Sequence, residues 1–201
     1  MIRVLVAEDQ RILRESLVAL LELQDGIEVV ASAETGDAAV TEALRHEPDV
    51  AVLDIELPGI DGLTVATRLR ELLPGCRALI LTGVGRPGHL RRAGAAKVSG
   101  FLLKDTPLRE LVEAVRKVAG GGRVIDPNLA YAALDLPASP LGEREAEVLR
   151  LTAQGYEPRE VAAELSLSYG TVRNYLASAV TKLNARNRVE AINLATEAGW
   201  I

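Results

Sequence analysis

Over its first 120 residues the chain alternates short aliphatic, β-branched runs with longer amphipathic segments, and a polar residue closes each of the runs that matter below. Parallel strands must be joined by crossovers of a dozen residues or more, usually helices, so this alternation predicts repeated βαβ units and a parallel sheet. Five strands are expected: Ile2 to Ala7, Ile27 to Ala33, Val50 to Leu53, Ala78 to Thr82 and Gly100 to Leu103. Between them apolar residues recur at helical spacing, as Leu13, Leu17, Leu20 and Leu21 do in the first helix and Leu108, Leu111, Val112 and Val115 in the last. Aromatic residues make up only 3% of the chain, so Val, Leu, Ile and Ala must fill the core, which suits a sheet covered by helices on both faces.

Gly120-Gly121-Gly122 ends the fifth helix, because three successive glycines are costly inside any regular element. Residues 123–140 carry Asp126-Pro127, an expected short helix through Leu134, and then two prolines that favour extended backbone. Residues 141–201 show no strand-like alternation and divide into four helical segments. The expected organisation is an α/β domain over residues 1–120, a linker over 121–140 and an all-α domain over 141–201.

Cys76 is the only cysteine, which excludes an internal disulfide and a cysteine-based zinc cluster and fits a reducing, cytoplasmic setting. The apolar run Val4 to Ala7 is broken at once by Glu8-Asp9, and nowhere do about eighteen apolar residues follow one another, so neither a signal peptide nor membrane insertion is expected. The formal net charge of −5 argues against wholesale coating of nucleic acid, so any nucleic-acid contact must be local.

In an open parallel sheet, ligand sites form at the carboxyl ends of the strands. There the sequence places Glu8 and Asp9 after the first strand, Asp54 after the third, Thr82 at the end of the fourth and Lys104 after the fifth. Carboxylates brought together repel one another unless one is protonated or a hard divalent cation neutralises them, and Mg²⁺ (or Mn²⁺) suits an all-oxygen ligand set. With the charge so screened, Asp54 can act as a nucleophile towards a phosphoryl group, Lys104 adds a positive charge, and the Thr82 hydroxyl can donate to a phosphoryl oxygen.

Taken in order, Glu8-Asp9, the run from Asp54 through Pro58 to Asp61-Gly62, Thr82 and Phe101-Leu-Leu-Lys104 resemble the receiver domain of two-component response regulators, which has a flavodoxin-like doubly wound sheet. The resemblance implies that Asp54 accepts phosphate from a sensor histidine kinase. It further implies that Glu8, Asp9 and Asp54 hold the metal with the Glu56 backbone carbonyl, and that Phe101 is the aromatic switch residue. Asp105 stands where many receivers carry proline, and Gly83 stands where alanine or serine is commoner. The stretch from Gly83 to Gly88 is rich in glycine, which raises the cost of ordering it.

In the C-terminal segment, Pro158 suits a first helical turn and Ser168 an N-cap, giving two helices joined by a tight turn from Pro158 to about Leu183. Val172, Leu176, Val180 and Leu183 should pack inward, which turns Arg173, Asn174, Ala177 and Thr181 outward. Arg and Asn suit base edges in a major groove. Between Ser166 and Val189 there are four basic residues, Arg173, Lys182, Arg186 and Arg188, and no acidic one.

Leu141-Gly-Glu-Arg-Glu-Ala-Glu-Val-Leu149, Leu167-Ser168, Thr171-Val172, Lys182-Leu183 and Arg188 are similar to the LuxR-type four-helix DNA-binding domain. Receiver and LuxR-type domains together resemble the NarL/FixJ family, and Thr171 to Ala179 is most similar to its DesR-like branch. Tyr175 stands where that family often has histidine, and Gly142 where it has serine or threonine.

The resemblance implies a transcription regulator rather than an enzyme, in which phosphorylation promotes a homodimer that binds double-stranded promoter DNA, with RNA polymerase as an additional candidate partner. Tyr169, Thr171, Arg173, Asn174, Ala177, Lys182 and Arg188 are the expected DNA contacts. The alternatives are a phosphorylation-independent DNA binder and an aspartate-nucleophile phosphatase.

Overall fold

The strands of the first unit pair in the order β2-β1-β3-β4-β5-β6, all parallel. The computed structural model describes residues 1–83, 87–127, 129–130 and 138–201. The chain divides into two compact units, Met1–Gly85 with Arg92–Tyr131, and Arg86–Arg91 with Ala132–Ile201.

The strands are β1 (Ile2–Ala7), β2 (Ile27–Ala33), β3 (Val50–Leu53), β4 (Arg77–Thr82), β5 (Gly100–Leu103) and β6 (Val124–Ile125). The helices between them are α1 (Arg11–Glu22), α2 (Gly36–His46), α3 (Gly62–Leu72), α4 (Pro87–Ala96) and α5 (Leu108–Ala119). β3 is buried along its whole length, as a central strand covered on both faces must be, and that burial explains its uninterrupted Val-Ala-Val-Leu. Val4, Val6, Val52, Leu79 and Leu81 meet Leu17, Leu21, Leu111, Val115 and Val118 in one core cluster.

The sheet has one more strand than expected. β6 falls in the stretch read as a linker, where the Val124 amide donates to the Ser99 carbonyl at 3.0 Å and the Asp126 amide to that of Phe101 at 3.0 Å. Two residues carry no periodicity; their pairing is set by the exposed edge of β5. Leu20 also departs from its expected inward position: it is 37% exposed, and α1 buries only Leu17 and Leu21 fully. Val84, Gly85 and Arg86 of the glycine-rich stretch, and most of the expected short helix through Leu134, lie outside the described residues.

The second unit contains α6 (Glu143–Ala153), α7 (Pro158–Glu164), α8 (Tyr169–Lys182) and α9 (Arg188–Glu197). Val148, Leu149, Val161, Val172, Ala179 and Ala195 are fully buried and hold the four together. α7 stops at a left-handed Ser166, with a φ of 53°. α8 restarts two residues later, where the Ser168 hydroxyl oxygen accepts from the Thr171 amide at 3.0 Å. No helix among the described residues is long and apolar enough to cross a membrane.

Candidate metal centre and nucleic-acid interface

Strand register brings the polar residues of the first unit together. Ala7 lies opposite Leu53 and Thr82 opposite Leu103, so the next residue on each of three strands, Glu8, Asp54 and Lys104, emerges at the same edge. The ladder runs on beyond the strands to hold them there: the Asp54 amide donates to the Ala7 carbonyl at 2.9 Å and the Lys104 amide to the Thr82 carbonyl at 2.8 Å. β1 lies between β2 and β3, so the connections leaving β1 and β3 run in opposite directions, which is the point where such sheets open a crevice. Gly62 closes the loop behind Asp54, because a Cβ there would stand 1.9 Å from the Asp54 carbonyl oxygen.

One carboxylate oxygen from each of Glu8, Asp9 and Asp54 lies within 4.8 Å of the others. Glu8 is 1% exposed and Asp54 4%, whereas Asp9 is exposed. The Lys104 Nζ sits 2.8 and 3.0 Å from the two Glu8 carboxylate oxygens and 3.0 Å from Asp54 Oδ2. Burial and the neighbouring Asp54 charge push the Glu8 carboxyl up against the opposing pull of Lys104. Burial works to lower Lys104, but its two carboxylate partners outweigh that and raise it.

Two buried carboxylates therefore share one ammonium with a third, exposed carboxylate beside them, and their hard oxygen donors fit a small divalent cation. Thr82 is buried at 2% exposure, and Glu56 is exposed in the loop after Asp54. Phe101 is 2% exposed inside the sheet.

Two other groups are informative by contrast. Burial pushes the Cys76 thiol up to about 12, which leaves it unreactive at neutral pH. Asp61, the N-cap of α3, accepts from the Thr64 amide at 2.8 Å and from Arg92 of α4 at 2.5 Å. Burial opposes its ionisation, yet these donors hold its carboxyl below the usual range.

In the second unit Arg173, Asn174, Ala177 and Thr181 share the exposed face of α8, and Tyr169 is 47% exposed at its start. Arg188 is exposed at the start of α9. The half-buried Thr171 is engaged at the helix cap, its hydroxyl 2.8 Å from that of Ser168. Lys182 is held back: its Nζ lies 2.7 Å from Glu145 Oε2.

Glu145 is the residue that sequence reasoning passed over except as part of a motif. It is 7% exposed and accepts from Lys182, from the Ser178 hydroxyl at 2.6 Å and from the Gly142 amide at 2.6 Å, tying α6 to α8. Burial opposes its ionisation, but these donors bring its carboxyl down to about 2. Its one local signal is a glutamate three residues after the helix boundary, the position of a capping-box acid.

Residues 4–116 match the response regulator receiver domain, and residues 139–195 match the luxR family of bacterial regulatory proteins. Over its whole length the chain is similar to the transcriptional regulatory protein DesR of Bacillus subtilis (strain 168), with 46% identity across 100% of this chain and 99% of that protein. It is also similar to the response regulator RamR of Streptomyces coelicolor, with 42% identity across 100% and 98%. Among solved structures, the response regulator ChrA of a heme-sensing two-component system has a TM-score of 0.59 at 35% identity, covering 100% of this chain and 98% of that one.

Proposed function

The chain belongs to the two-component response regulators that join a receiver domain to a LuxR-type DNA-binding domain, and from that premise we propose that phosphorylation of Asp54 switches its binding to promoter DNA. Its function is transcription regulation within a two-component system. The phosphoacceptor chemistry belongs to residues 1–120 and DNA binding to 141–201, with 121–140 between them.

The carrying observation is the convergence of Glu8, Asp54 and Lys104 at one sheet edge, with two carboxylates nearly buried and one ammonium bound to both. An Asp54 carboxylate oxygen forms a bond to phosphorus as the phosphohistidine P–N bond of a sensor kinase breaks, leaving an acyl phosphate on Asp54 and releasing the kinase histidine. Glu8, Asp9, Asp54 and the Glu56 carbonyl would hold Mg²⁺ or Mn²⁺, which when bound supplies positive charge against the phosphoryl oxygens.

Phosphorylation of Asp54 moves its negative charge outward onto those oxygens. Lys104, already 3.0 Å from Asp54 Oδ2, needs little movement to follow. The Thr82 hydroxyl donates to the same group, and the rearrangement reaches Phe101 and a helix surface that pairs two copies. Pairing delivers two α8 helices to paired half-sites in cytoplasmic promoter DNA and multiplies affinity through effective concentration. The protein is an acceptor in this scheme and not a turnover catalyst.

Acetyl phosphate with Mg²⁺ is expected to add one phosphoryl group to wild type at Asp54 and none to Asp54→Asn. Genome-wide mapping of bound DNA is expected to differ between the two under inducing conditions. Identical occupancy of wild type and Asp54→Asn would sink the switch and leave a phosphorylation-independent DNA binder.

A further inference from the structure

Residues 141–201 contain seven basic side chains. Three are neutralised by carboxylates: Arg144 by Glu147 at 2.7 Å, Lys182 by Glu145 at 2.7 Å and Arg186 by Glu190 at 3.0 Å. Among the described residues, Arg159 and Arg173 make no ion pair within 4.0 Å, and both are exposed. Nor are they scattered. Arg159 is the second residue of α7, Arg173 lies one turn into α8, and both guanidinium groups stand over the ring of Tyr169, 5.9 and 6.0 Å from its centroid.

That arrangement brings two like charges to one aromatic ring with no carboxylate between them. Glu160, the acid beside Arg159, is committed to the Glu157 amide at 2.8 Å. A guanidinium that rests its face on a ring keeps its N–H edge free, whereas one bound to a carboxylate spends that edge. An N–H edge held this way can donate two parallel hydrogen bonds to a pair of phosphate oxygens.

The position agrees with the charge. Tyr169 opens α8, at the N-terminal end of the face that carries Arg173, Asn174 and Ala177. When the N-terminal part of a recognition helix enters a major groove, the preceding helix crosses the phosphate backbone at its rim.

We infer that Arg159 is a phosphate-contacting residue of the DNA interface, contributed by α7. Tyr169 is a positioning residue whose ring orients Arg159 towards the backbone and Arg173 towards the groove. The inference rests on the DNA-binding reading and adds to it a residue and a specific task for the tyrosine ring.

The test uses the full chain, phosphorylated with acetyl phosphate and Mg²⁺, by fluorescence anisotropy over a salt series. Two duplexes serve as probes, one enriched by the wild-type protein from a random library and one of random sequence. Arg159→Gln is expected to weaken both duplexes by a similar factor, about three- to tenfold, and to make log K against log salt shallower by about 0.9, as loss of one phosphate contact does. Tyr169→Leu is expected to reproduce most of that loss, and Tyr169→Phe, which keeps the ring, to stay within about twofold of wild type.

An unchanged salt slope in Arg159→Gln overturns the inference while leaving the DNA-binding reading intact, as does a Tyr169→Phe as weak as Tyr169→Leu. Wild type that binds neither duplex overturns both. Both positions are exposed, so the fluorescence of Trp200, the only tryptophan, should report unchanged thermal unfolding of the helical unit in all three variants.

Discussion

The two units each contain a lysine bound to a nearly buried glutamate, and the two networks are balanced in opposite ways. Around Glu145, one carboxylate meets an ammonium, a hydroxyl and a backbone amide, and its carboxyl is drawn down to about 2. Around Glu8, one ammonium serves two buried carboxylates with a third beside them, and the Glu8 carboxyl is pushed up. The first network is complete as it stands and works as scaffold. The second has surplus negative charge, so a cation or a phosphoryl group can change it. Partner count, rather than burial, separates a site from a structural node.

The strongest way to break this comparison is to remove the acid from the balanced network. Glu145→Ala leaves Lys182, Ser178 and the Gly142 amide without their acceptor, and is expected to destabilise the helical unit by about 3 kcal/mol. Trp200, the only tryptophan, packs against that unit's core, so urea unfolding followed by selectively excited tryptophan fluorescence reads this unit alone. A loss under about 1 kcal/mol would show that the network is not the scaffold claimed here.

The pH dependence has a definite sign. A carboxyl lowered from 4.5 to about 2 on folding stabilises fully above 4.5, and that contribution is lost as pH falls from there towards 2. Glu145→Gln should flatten the helical unit's stability in that window.

The same operation on the unbalanced network should give the opposite sign. Glu8 is raised above 4.5 in the folded protein, so its ionisation opposes folding, and the cost grows as pH rises from 4.5 to the raised value. Glu8→Gln is expected to stabilise the metal-free first unit by about 1 kcal/mol. Mg²⁺ at ten times its dissociation constant should stabilise wild type by about 1.4 kcal/mol and Glu8→Gln by clearly less. Hydrogen exchange of the β1 and β3 amides reads these changes, because the first 130 residues contain no Trp or Tyr. Destabilisation of the metal-free variant would remove the distinction between the networks.

This contrast also marks what the sequence could disclose. The pocket was legible because it depends on register alone: five aliphatic runs of four to seven residues fix the sheet, and the residue after each run then has no freedom of position. The outward face of α8 was legible for the same reason, since Arg173, Asn174, Ala177 and Thr181 follow from helical spacing.

β6 was not, because two residues have no period. The Glu145 node and the Tyr169 stack were hidden because each depends on how two helices cross, as Lys182 and Arg159 show. Lys182 looked free in a sequence with no acid nearby, and it is paired with an acid 37 positions away.

Asp61 and Arg92 supply the intermediate case and the smallest expected effect. Here one carboxylate meets one guanidinium and one helix-capping amide, so the pair is balanced like Glu145 but one-third exposed on each side. If balance alone set the energy, Arg92→Gln would cost as much as a break in the Glu145 network. Solvent screening argues otherwise, and the expected loss is about 0.5 kcal/mol, within the range of exposed ion pairs. Asp61→Ala should cost about 1 kcal/mol, because it also uncaps α3. Hydrogen exchange in the first turn of α3 separates the two: Asp61→Ala should raise it and Arg92→Gln should not. Equal exchange in both variants would mean that Arg92, and not the cap, holds the start of α3, making this pair a structural node of the same kind as Glu145.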